Sequence, residues 1–209
     1  THVQQYADTL VLSTLAGAAA VGWFGAARSI TTTLIMPVSI LLTALLPGIS
    51  RATGNAARLE SSLTATLRPV VVLGVFVATG TALFADVGIN VIYGEADYRP
   101  AITVLRCAAI PLFLVFMNML LGSVAILLER AMWMGVVRTV ALAIAACVSW
   151  FAVGYCTLHF DNGALGLIVG SIAGELVILA GFGAIVSRRR FWQATAWEFA
   201  RAVVAAGGA

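Results

Sequence analysis

Lysine is absent from this sequence, and charge of either sign is scarce. All 12 basic residues are arginine, 9 residues are acidic, and only 10% of the 209 positions are charged, whereas 61% are hydrophobic. A water-soluble domain must cover its surface with more polar groups than that, so this class is excluded. The net charge is only +3. The arginines fall between apolar runs rather than in one patch, which argues against a nucleic-acid partner. Cysteine is sparse as well. Cys107, Cys147 and Cys156 lie unevenly in or at the end of apolar runs, where they read as small packed side chains. No HExxH, paired Cys/His spacing, phosphate-binding loop or nucleophile elbow occurs. No catalytic residue, metal or cofactor is therefore expected, and the chain does not read as an enzyme. His159 and Asp161 read as part of a solvated turn.

What is present is apolar length. The mean hydropathy is +1.02, and about 20 apolar residues suffice to cross a hydrocarbon core. The expected fold class is an all-α integral membrane protein with about six transmembrane helices. The expected spans are 4–20, 22–50, 69–92, 98–128, 132–157 and 163–187. Residues 1–187 form the helical unit. Residues 188–209, beginning with the arginines at 188–190, read as a basic turn and an amphipathic, interfacial segment or plain connector. The chain starts without methionine and stops in "RAVVAAGGA" inside a helical pattern, so a fragment of a longer protein is expected.

Arginine distribution sets the expected orientation. "RATGNAARLESSLTATLR", "LERAM" and "SRRRFW" carry the arginines between spans. The alternate loops, "AVGW", "ADVGINVIYGEADYR" and "HFDNGAL", hold acids and only Arg99. By the positive-inside rule the arginine-rich loops face the cytoplasm. Gly166, Gly170 and Gly174 recur every four residues in the last span. They read as a smooth face for close packing within the chain, with dimerisation as the alternative.

Ionisable groups inside spans are costly and need a reason. Asp8 and Glu175 sit roughly 18 Å deep at 1.5 Å per residue, too deep and too short to reach headgroups. Arg28, Arg106 and Arg138 lie about 10 Å deep by the same measure. Arg106 and Arg138 either reach the headgroups or join Asp8 and Glu175 around a polar interior pathway.

"DTLVLSTLAGAAAVGWFGAAR" followed by "LIMPVSILLTALLPGISR" resembles one family. The family comprises the polysaccharide and lipid-linked oligosaccharide flippases of the multidrug/oligosaccharidyl-lipid/polysaccharide exporter superfamily. There, an aspartate opens such a helix, matched by Asp8. A glycine–aromatic turn follows, matched by Val21-Gly22-Trp23, and the next helix ends as in Leu45-Leu46-Pro47-Gly48-Ile49-Ser50. "VIYGEADYRPAITVLR" is similar to the family's outer loop and helix through Tyr93-Gly94, Tyr98, Ala101 and Leu105-Arg106, with Asn118 and Gly122 further on. The resemblance implies one lobe of a MATE-like two-lobe transporter, here the C-terminal one, working by alternating access. It implies polyprenyl-(pyro)phosphate-linked glycan as substrate, with the N-terminal lobe, membrane lipids and glycan-assembly proteins as partners. The implied location is the bacterial cytoplasmic membrane. Arg28 falls where the lipid II flippase branch carries a cavity arginine. Thr31 stands where that branch has glutamate, and its FxxGxF pattern is missing, so a general oligosaccharide flippase is the better match.

On that resemblance Arg28, Arg106 and Asn118 are candidate substrate-binding residues. A guanidinium offers phosphate a bidentate match in a low-dielectric cavity. Asp8 and Glu175 are candidates for charge balance or proton coupling. Pro37 and Pro47 are candidate hinges. Two other functions stay open. One is an H+- or Na+-coupled multidrug antiporter of the same superfamily, and the other is a membrane enzyme or noncatalytic subunit of a glycan-assembly complex.

Overall fold

A computed structural model describes residues 10–52 and 56–186. Every regular element among these is helical. Residues 10–15 form helical turns, followed by α1 (Gly17–Leu34), α2 (Met36–Ala52) and α3 (Ala56–Leu83). Then come α4 (Ala85–Tyr93), α5 (Glu95–Leu127), α6 (Ala131–Phe160) and α7 (Ala164–Val186). Five helical stretches are long and apolar enough to cross a membrane: Gly17–Arg51, Ser61–Leu83, Asp97–Leu127, Ala131–Phe160 and Ala164–Ala184. Helices suit that setting because each backbone group is paired within its own segment. The chain is an all-α protein of the multi-pass membrane type.

Several boundaries differ from those expected, each for a local reason. The break between the first two spans falls at Ala16–Gly17, not at Val21-Gly22-Trp23, which lies inside α1. Gly17 has φ +81°, a left-handed conformation that glycine adopts without steric cost. The expected span over 22–50, with Pro37 and Pro47 as its candidate hinges, breaks at Ile35, whose N–H reaches the Thr32 and Thr33 carbonyls. Pro37 then occupies the second position of α2, where a missing N–H costs no helical bond. Span three also changes. The α3 helix begins within the arginine-bearing linker and ends at Leu83, and the expected loop "ADVGINVIY" is the short helix α4. It folds because Ala85 and Ile89 bury one face. Gly94, at φ +84°, then turns the chain into α5. The segment 188–209 and residues 4–9 of the first expected span, Asp8 among them, lie outside the described residues.

The α5 helix is the hub, packing against α1, α2, α3, α4 and α7, while α6 packs chiefly on α7. Two apolar clusters meet along it. One joins Val38, Leu42, Leu67, Val71, Phe116 and Leu120 with Phe182. The other joins Leu12, Phe24, Ile89, Val104 and Leu105 with Leu167. The glycine stripe of α7 faces α6. A Cβ at Gly166 would run into the Ala152–Val153 backbone, one at Gly170 into the Ser149 hydroxyl, and one at Gly174 would lie 2.9 Å from the Ala145 Cβ. The stripe thus serves close packing within the chain, the first of the two uses expected for it.

Candidate functional site

Three helices leave a cavity of about 160 Å³ between them. Phe24, Ala27, Arg28, Thr31 and Thr32 of α1, with Ile35 just past its end, line it at helical spacing, so one face of α1 turns inward. From α5 come Ala108, Pro111, Leu112 and Val115, and from α7 Ile168, Ser171 and Glu175. Pro111 lacks an N–H, so the helical bond to the Cys107 carbonyl is missing beside the cavity.

Arg28 is half-buried. Its guanidinium carbon stands 5.7 Å from the centroid of the Phe24 ring, within cation–π range. The Thr31 hydroxyl donates to the carbonyls of Ala27 at 3.2 Å and Arg28 at 3.0 Å. Its oxygen lone pairs therefore remain for an incoming donor.

Glu175 is tied from behind. Asn118 Nδ2 donates to its Oε2 at 2.7 Å and to its backbone carbonyl at 2.9 Å. Asn118 is buried, and its Oδ1 has no hydrogen-bond partner among the described residues. Arg138 of α6 acts electrostatically on Glu175, with its guanidinium carbon 5.9 Å from the Phe182 centroid. A carboxylate thus sits between a cavity bearing one arginine and a helix bearing another.

The structure brings Arg28 and Glu175 into one cavity. Asn118 stands behind Glu175 rather than on the wall. Arg106 is exposed and does not line the cavity. Pro37 and Pro47 lie on α2, Pro47 inside the helix, and neither lines it. Sequence reading did not single out Thr31, Thr32 and Ser171 as cavity residues, and it left open whether Arg138 reaches the headgroups or joins Glu175. Hydroxyl residues are common on apolar helices, and the helix-to-helix pairing that selects these has no one-dimensional signal. Among the described residues, no three histidine, cysteine or acidic side chains gather as a metal site.

Comparison with family models, with curated proteins and with solved structures finds no match to this chain.

Proposed function

We propose that this chain is one lobe of a transporter that moves the phosphate-bearing headgroup of a lipid-linked oligosaccharide or polysaccharide precursor across the bacterial cytoplasmic membrane. The observation that carries the reading is the cavity between α1, α5 and α7, where Arg28 and Glu175 share one space with Thr31, Thr32 and Ser171. A guanidinium in a cavity lined by both polar and apolar side chains suits a phosphate or pyrophosphate, because it offers parallel N–H donors and stays charged. The volume takes a phosphate-sized group and its water, not a glycan. The sugar would therefore lie toward the opposite lobe, between the two halves that rock in alternating access. The arginine-rich linkers would face the cytoplasm.

A second reading is an H+- or Na+-coupled multidrug or organic-cation antiporter. Glu175 on the same wall favours it, since a carboxylate attracts a cation. The test is made in the complete protein in its native host, with Arg28→Ala and Arg28→Lys at matched membrane levels. Under the flippase reading, Ala sharply reduces delivery of lipid-linked glycan to the outer leaflet and Lys restores little. Normal delivery by both variants moves the antiporter reading ahead.

A further inference from the structure

Two orphaned oxygens stand beside a break in the third apolar span, and neither belongs to the cavity lining. The α3 helix ends at Leu83 and α4 starts at Ala85. Between them Phe84 leaves helical geometry, at φ −106° and ψ 20°. The flanking bonds, from the Phe84 N–H to the Gly80 carbonyl and from the Gly88 N–H to the Phe84 carbonyl, are both 2.9 Å. The helical ladder stops between them, so the carbonyls of Thr81, Ala82 and Leu83 lose the donors one turn on. Just past the break, Asp86 and Asn90 stand one turn apart on α4. The Oδ1 atom of each is buried and has no hydrogen-bond partner among the described residues. We propose that these two oxygens, with the carbonyl end of α3, bind a sodium ion.

The break lies within the apolar zone. Phe84, Val87, Val91 and Ile92 expose large apolar side chains around it, as a lipid-facing surface does. Trp23 of α1 donates its Nε1 proton to the Asp97 carbonyl at the start of α5. A Cβ at Gly88 would lie 3.9 Å from the Ile30 Cδ1. Ile30 is seven residues further along α1 than Trp23, so α4 begins roughly 10 Å below that level. Acceptor oxygens buried there without a donor or a cation are costly. Direction favours a shared ligand. Side chains on a helix tilt toward its N-terminus, so Asp86 and Asn90 lean toward the break, where the last carbonyls of α3 carry the negative end of its dipole. The Asp86 charge also gains from the N-terminal end of α4, yet no backbone N–H reaches its Oδ1. The donor set is all oxygen, which suits a hard cation. It carries one formal negative charge, so a monovalent ion leaves the site neutral, whereas a divalent one would leave a charge uncompensated in an apolar region. Interrupted transmembrane helices hold sodium by this chemistry, through carbonyls freed where the helix stops.

The test follows thermal unfolding of the complete protein in detergent micelles, in sodium or choline chloride at equal ionic strength. Bound radioactive sodium is counted on the same samples. Sodium should raise the melting temperature above that in choline, and the rise should grow with concentration as for a ligand that binds only the folded chain. Asp86→Asn and Asn90→Ala should each raise the half-saturating sodium concentration by more than about 10-fold, since even groups behind a metal ligand are worth that much. Asn90→Asp keeps an oxygen at its position and should retain sodium, which separates loss of a ligand from loss of the fold. Circular dichroism confirms that each variant keeps its helix content. Asp161→Asn, at an exposed acid in the turn before α7, should change nothing. Absence of a sodium-specific rise, or parental sodium binding by either folded Asp86→Asn or Asn90→Ala, overturns the proposal. So does an Asp86→Asn variant that melts, without sodium, at the temperature of the sodium-saturated parent, because the two oxygens then share a proton instead.

Discussion

Asn118 holds Glu175 at two points, donating from one amide nitrogen to the carboxylate at 2.7 Å and to the backbone carbonyl at 2.9 Å. The pair ties the middle of α5 to the middle of α7 and fixes the carboxylate at the cavity wall. Asn118→Ala removes both bonds and leaves a half-buried carboxylate without this donor. The expected loss of stability is about 1–3 kcal/mol, the cost of stranding a buried polar group. Thermal unfolding in detergent reads it. Glu175→Gln in the Asn118→Ala background should recover part of the loss, because a neutral amide is less costly to bury than a charge. Melting at the parental temperature by Asn118→Ala would remove the pair from the account of stability.

Gly170→Ala should destabilise the α6–α7 pair by roughly 1–3 kcal/mol, the usual range for overpacking. The added methyl would run into the Ser149 hydroxyl. Combining it with Ser149→Gly should return only part of the loss, because the Ala145 carbonyl would still lie 2.9 Å from the new Cβ. Gly154→Ala, also on a helix but with nothing within 4 Å of the new Cβ, should be neutral or slightly stabilising. Parallel melting curves for these variants settle the comparison.

Delivery of lipid-linked glycan should fall about 10–100-fold in Arg28→Ala, the equivalent of one lost charge-assisted bond worth roughly 1.5–3 kcal/mol. Glu175→Gln separates the two transport readings. Under the flippase reading it leaves phosphate recognition by Arg28 in place, whereas under the antiporter reading it abolishes cation efflux. Both fluxes are measured in the same cells at matched protein levels.

Pro47→Ala restores an N–H to the interior of α2, where the Thr43 carbonyl lacks its helical donor. The variant should melt at a higher temperature, since proline costs about 3 kcal/mol in a helix interior. If Pro47 works as a hinge, delivery slows as stability rises. An unchanged delivery rate in the more stable variant would exclude that role.

The composition alone determined the class. Long apolar runs without strand-like alternation suit helices rather than a barrel in lipid, and α5, α6 and α7 fall within a few residues of the spans read from hydropathy. The costly residues were legible too: Arg28 and Glu175 stood out because a charge in an apolar run demands a partner or a cavity. Their meeting in one cavity was not legible, since Arg28 and Glu175 lie on helices far apart in the chain and only the packing of α1 and α7 about α5 joins them. The same holds for Asn118 and Glu175, and for Gly170 and Ser149. The first turn falls at Gly17, which takes positive φ, and not at Gly22; the break at Ile35 lies just ahead of Pro37. Hydropathy measures what each residue does with water or lipid. Which side chain faces which is set by the rotation and crossing of whole helices, a property that no window along the sequence contains.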